Sequence, residues 1–309
     1  MRAAQACIIG VAIVAVTACA SVPMTGRQQL RMISDADMAR LADTEFDRFI
    51  ALVKSKNARL YPSDSPAAGQ AYELVERVAH RLVEAAGLQN RYPWEVILVN
   101  FRDVNAIVTP GGKIAVFTGL LLVAQSEAGL AAALGHEIAH VVARHAAERY
   151  SQEILTWFGV QAVDLALAMS DYYRYRPIVA AVLGLGVRYG ILLPFRRAHE
   201  LEADRIGQLL MAKAGYDPAE AVRFWDRAEA RGISRPWEIL STHPGESIRR
   251  ARLQEWLPEA RALYSDSTRA LPTDVGELKT IAASDTATAP IAPRPSFLSG
   301  LLVARTEDQ

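Results

Sequence analysis

The chain has 309 residues, 51% hydrophobic and 22% charged, which is ample apolar material for a packed core in one or two domains and excludes a disordered polymer. Its 34 basic residues balance 34 acidic ones, so the strongly basic face of a nucleic-acid binder is absent from the composition and no nucleic-acid partner is expected. No segment repeats at a fixed spacing, which excludes solenoid and propeller architectures.

Met1-Arg2 and the uncharged run from Ala3 to Ala18 have the charged start and apolar middle of an export signal. Val16-Thr17-Ala18-Cys19 resembles a bacterial lipobox, so residues 1–18 are expected to be removed and Cys19 acylated, tethering the protein to a membrane. Cys7 lies inside the signal, and the single cysteine left in the mature chain can form no intramolecular disulfide. Ala20 after the cysteine resembles the sorting signal of a Gram-negative outer-membrane lipoprotein, which places the expected location at the periplasmic face of that membrane, for a Gram-negative host. Residues 19–33 read as a lipidated tether.

Ser34-Asp35-Ala36-Asp37 opens a helix with Met38, Leu41, Phe46, Phe49 and Leu52 on its apolar face, and a second helix is expected over about 67–86. The period then changes. Trp94–Val99 and Lys113–Thr118 are rich in β-branched and aromatic residues and bracket the turn Pro110-Gly111-Gly112, predicting a small sheet of about three strands. From Ser126 to the mid-260s the chain reads as helical, with Asp217-Pro218 starting one helix and Gly245 preceding another. Residues 265–309 turn to Ser, Thr, Ala, Asp and Pro and read as a flexible tail, in which Phe297–Val303 is an incidental apolar patch or a docking peptide. The expected fold class is α+β, mostly helical, with one domain over 34–264.

Leu134-Gly135-His136-Glu137-Ile138-Ala139-His140 contains the pattern HExxH. Residues i and i+4 of a helix lie about 40° apart around its axis, so both imidazoles can reach one Zn²⁺ while Glu137 sits beside the water to be activated. A catalytic zinc site needs a third protein ligand. His145 comes nine residues after His136 rather than ten, and Ala143 stands where the metzincin pattern has glycine, so that class does not fit. In His199-Glu200-Leu201-Glu202-Ala203-Asp204-Arg205-Ile206-Gly207, Glu200 and Asp204 are one turn apart, so Glu200 can ligate zinc while Asp204 orients an imidazole, with Glu202 pointing elsewhere.

HExxH followed some sixty residues on by E-x-x-A-D-x-x-G and Ala214-Gly215-Tyr216-Asp217-Pro218 resembles metallopeptidase family 48, the CAAX prenyl endopeptidase type, in its bacterial periplasmic, BepA-like lipoprotein branch. Asn105, the Pro110-Gly111-Gly112 turn with Ile114–Thr118, and Ser241-Thr242-His243-Pro244 with Arg249 extend the resemblance over about residues 30–262. It implies a gluzincin fold, one zinc held by His136, His140 and Glu200, and Glu137 as general base. It also places His243 and Arg249 at the oxyanion, with His243 alternatively closing the fourth zinc position as a latch. Ile114–Thr118 would pair with extended substrate. His199 departs from several relatives and reads as a metal ligand or a helix-surface residue. His145 reads as a supporting histidine, and His80 has no expected metal role.

Ile178–Leu193 is apolar between Pro177 and Pro194 but is short for a membrane span and interrupted by Arg188, and is expected to be a core helix or a lid over the cleft. The other spanning helices of prenyl-protease members are lacking, so CAAX processing is not expected. The expected function is zinc-dependent endopeptidase action on misfolded or stalled envelope proteins. The alternative is a latent protease acting as a chaperone-like lipoprotein with the outer-membrane assembly machinery.

Overall fold

The computed structural model describes residues 19–56, 58–61, 69–187, 192–230 and 246–265. The expected export signal, the residues around His243 and residues 266–309 of the expected tail lie outside the described residues.

The chain enters through a hairpin where the sequence reads as a tether: β1 (Cys19–Ser21) pairs antiparallel with β2 (Gln28–Leu30). Buried Val22 and Gln29 and the ion pairs of Arg27, described below, fix this segment to the domain. Helix α1 (Asp35–Ser55) starts as expected, with the Ser34 side chain accepting from the Asp37 N–H. Beyond β3 (Arg59–Tyr61), α2 (Gly69–Ala85) buries Leu74, Val78 and Leu82 and leaves His80 exposed.

Strands β4 (Glu95–Asn100), β5 (Ala106–Val108) and β6 (Lys113–Phe117) join β3 in a four-stranded mixed sheet of order β3-β4-β6-β5. Only the β4–β6 pair is parallel. Strand β6 therefore lies between two partners with both its hydrogen-bonding edges used, so the expectation that Ile114–Thr118 receives substrate is corrected. The outer strand on that side is β5. The Phe117 N–H donates to Asn105 and the Thr109 N–H to Lys113, so by alternation the backbone groups of Ala106 and Val108 face the outer edge, which no described strand pairs.

After α3 (Thr118–Ala124), helix α4 (Glu127–Val142) carries HExxH and is apolar on nearly every side, as a central helix must be. It packs against α2, α3, β5, α7 (Leu193–Lys213) and α8 (Glu220–Ala230). Its closest partner is α7, for a local reason: Gly135 and Gly207 meet at the crossing, where a Cβ added to Gly207 would lie 2.9 Å from the Gly135 carbonyl carbon and the His136 nitrogen. Helix α9 (Glu246–Ser265) closes over α7.

Arg144, at φ 54° and ψ 35°, turns the chain in the left-handed region between α4 and α5 (His145–Ala168). The far half of α5 and helix α6 (Arg176–Gly186) form an arm that exposes Phe158, Leu165, Met169, Tyr172, Tyr173, Ile178 and Val182, with Met169 at 83% and Ile178 at 63%. The described part of the 178–193 segment is therefore not core. No single described helix is long and apolar enough to cross a membrane.

Candidate metal centre

His136 and His140 lie one turn apart on α4, and Glu200 faces them from α7. One donor atom from each lies within 4.8 Å of the others. The His136 Nε2 is 3.2 Å from the His140 Nε2 and from Glu200 Oε2, and the His140 Nε2 is 3.4 Å from Glu200 Oε1. Helix α7 brings Glu200 here because the glycine pair lets the two backbones touch, and one turn later it presents Asp204, 2.9 Å from His136 Nδ1. An imidazole that donates from Nδ1 to a carboxylate leaves a lone pair on Nε2. Two imidazole nitrogens and a carboxylate thus aim at one point, the donor set that suits Zn²⁺.

The electrostatics favour a positive charge there. Burial opposes charging His136, but hydrogen bonds to Asp204 and Glu200 outweigh it and raise the imidazole to about 9. His140 is held well below its ordinary value by burial. Burial also raises the Glu137 carboxyl to about 7, against the fields of His136, Arg249 and Arg149. Glu137 is 7% exposed.

Arg249 lies against the carboxylates of the site. It is 1% exposed, donates to both Asp204 oxygens at 2.6 and 2.5 Å, and lies over the Trp225 ring at 4.2 Å. Its Nη2 is 3.2 Å from His136 Nδ1, on the side of that ring away from the donor cluster. The guanidinium supports Asp204 behind the imidazole, and its Nη1 lies 3.7 Å from Glu200 Oε2 of the donor cluster. Removing it strands a buried carboxylate, at a cost of about 3–5 kcal/mol, so Arg249→Ala is expected to unfold at markedly lower denaturant concentration. The His243 expectation falls outside the described residues.

His199 is not among the converging donors. It stacks on His145 with ring centroids 4.2 Å apart and lies 2.9 Å from Glu148 through Nε2. His145 reaches His140 on one side and Glu202 on the other. Thr25, Arg27 and Glu148 complete this second cluster, and none of the three stands out in the sequence as a site residue. One signal was available: His145-Ala146-Ala147-Glu148 and His199-Glu200-Leu201-Glu202 repeat His-x-x-Glu on two helices, and each histidine meets the glutamate of the other helix.

A mostly helical α+β fold with a small mixed sheet beside an HExxH helix, and a glutamate supplied by a second helix, defines a gluzincin-like arrangement. The chain belongs to Peptidase family M48, whose profile matches residues 70–257. It is 32% identical over 246 residues to the mitochondrial metalloendopeptidase OMA1 of Schizosaccharomyces pombe, a match covering 78% of this chain and 67% of that protein. It is 40% identical over 176 residues to the Arabidopsis thaliana mitochondrial metalloendopeptidase OMA1, covering 56% of this chain and 34% of the relative. The Escherichia coli beta-barrel assembly-enhancing protease is 30% identical over 202 residues, covering 63% and 41%. Family membership and the His/His/Glu cluster support metallopeptidase activity.

Proposed function

We propose that the protein is a zinc-dependent endopeptidase of the cell envelope, acting on misfolded or stalled polypeptides and held by an acyl chain on Cys19 at the periplasmic face of the outer membrane. The observation that carries the proposal is the convergence of His136 and His140 of α4 with Glu200 of α7, beside a strand whose outer edge no described strand pairs. Zinc, when bound, supplies a Lewis acid that polarises the scissile carbonyl and acidifies water. Glu137, next to His136 on α4, takes the proton of the attacking water and delivers it to the leaving amine. Asp204, pinned by Arg249, keeps His136 in the tautomer that leaves Nε2 bare. Ala106 and Val108 offer backbone groups to an extended peptide, and such pairing is tolerant of sequence and requires an unfolded segment. The relatives named as metalloendopeptidases and as a beta-barrel assembly-enhancing protease support this choice of substrates.

Removal of zinc with a chelator is expected to stop cleavage of a reduced, alkylated test protein, and restoring one equivalent of zinc is expected to return it. Cleavage that persists in zinc-free enzyme would sink the proposal. For the anchor, mass spectrometry is expected to find a mature chain beginning at an acylated Cys19, and Cys19→Ser is expected to shift the protein to the soluble fraction.

A further inference from the structure

We propose that Glu202 and His145 form a carboxylate–imidazole relay that orients the metal ligand His140, and that Thr25 and Arg27 of the N-terminal hairpin hold the relay in place. The inference rests on the zinc-peptidase function proposed above and concerns positioning residues.

Distances of 2.8 Å between His140 Nδ1 and His145 Nδ1, and 3.0 Å between His145 Nε2 and Glu202 Oε2, link three buried or nearly buried groups in a line. The protons of that line are fixed by bonding rules. Glu202 accepts from the Thr25 hydroxyl at 2.5 Å and from Arg27 Nε at 2.9 Å, so it acts as a carboxylate with no proton to give. His145 Nε2 must then carry the hydrogen. A neutral imidazole has only one, so its Nδ1 is bare and accepts from His140 Nδ1–H. His140 is left with a bare Nε2, the atom that faces His136 and Glu200. Each zinc-facing imidazole therefore has a carboxylate behind it: Asp204 directly behind His136, and Glu202 behind His140 through an inserted histidine.

The line is also held mechanically. Arg144 in the left-handed conformation turns the chain so that His145, the first residue of α5, faces back to α4. Stacked His199 fixes the ring plane. Arg27 bridges Glu202 to Glu148 through two further hydrogen bonds, at 2.9 and 2.6 Å, so the hairpin ties α5 to α7 across the relay.

The test compares zinc affinity by chelator competition and metal-free melting temperature in the full-length protein. His145→Ala and Glu202→Gln are expected to weaken zinc binding about 10- to 100-fold. Arg27→Gln, a change at a partly exposed side chain remote from the metal, is expected to weaken it in the same direction. The decisive pair is His145→Asn against His145→Gln. Asparagine can place an acceptor where Nδ1 stood and should restore most of the affinity. Glutamine can reach Glu202 only from the Nε2 position and should not. Affinities equal to the parent in all variants, or better rescue by glutamine, would overturn the relay. If the parent itself fails to bind zinc tightly, the zinc reading fails instead. Should the variants not fold, ¹⁵N-resolved imidazole NMR of the zinc-loaded parent still decides: hydrogens are expected on His140 Nδ1 and His145 Nε2, and a hydrogen on His145 Nδ1 would overturn the assignment.

Discussion

Glu137→Gln is expected to lower kcat by about 10²- to 10⁴-fold, roughly 3–5 kcal/mol of transition-state stabilisation, with zinc content unchanged. Glutamine preserves the length and hydrogen-bonding outline of the side chain but cannot accept a proton from water. Zinc retention follows from geometry, because Glu137 is not one of the three converging donors. Folding stability should hold or rise slightly, since burial disfavours the charged carboxylate at this position and the amide carries no charge. Steady-state cleavage of an unfolded protein at matched zinc content, checked by elemental analysis, reads the result. Full activity in this variant would remove Glu137 from the chemistry and sink the mechanism. Lost activity accompanied by lost zinc would contradict the stated division between metal-binding and proton-transfer residues.

The second large effect lies where two helices cross. Gly207→Ala places a Cβ 2.9 Å from the backbone of Gly135 and His136, where no flexible side chain can move aside. Relief requires α7 to back away from α4, at a cost of about 1–3 kcal/mol for overpacking. The functional loss should exceed what that stability change predicts, because α7 carries Glu200 and Asp204 within two turns of the crossing, and their separation from His136 sets both the donor cluster and its support. Zinc affinity is therefore expected to fall by more than tenfold. Gly159→Ala is the control: that helical position meets nothing within 4 Å, and alanine there should be neutral or stabilising by about 0.5–1 kcal/mol. Denaturant unfolding with chelator competition on both variants separates the two outcomes, and wild-type zinc affinity in Gly207→Ala would show that the crossing does not set the metal geometry.

The features legible in the sequence were those written in local periodicity. His136 and His140 are one turn apart, as are Glu200 and Asp204, so residue type and spacing alone reveal which side chains share a helix face. The helix start at Ser34 was legible for the same reason, because a cap and its first turn are neighbours in the chain, whereas the helix expected from Asp217-Pro218 begins at Glu220, with Asp217 accepting from the Ala219 N–H in the turn before it. What escaped was set by partners far away in sequence. Nothing near Arg27 announces that it will meet Glu202, 175 residues later, so the hairpin passed for a tether. Strand β5 is only three residues long, too short for an alternating pattern to register, and without it β6 looks like an open edge. The apolar run from Ile178 reads as a core helix or a lid, and its exposure was not legible because hydrophobicity does not record whether another element covers it. The bond from Arg249 to Asp204 escaped because the two lie 45 residues apart in the chain.

The N-terminal hairpin also sets a working distance. Arg27, which is bonded into the α5–α7 network, stands eight residues beyond Cys19. Even a fully extended chain of that length reaches no more than about 30 Å, and folding residues 19–30 into a hairpin shortens it. If Cys19 is acylated as proposed, the leash is too short for the domain to roam: its body would stay within a few nanometres of the lipid surface and would meet chains that are themselves near the bilayer. Substrate choice would then be partly a matter of address, imposed by residues 19–30 before any side chain in the cleft discriminates.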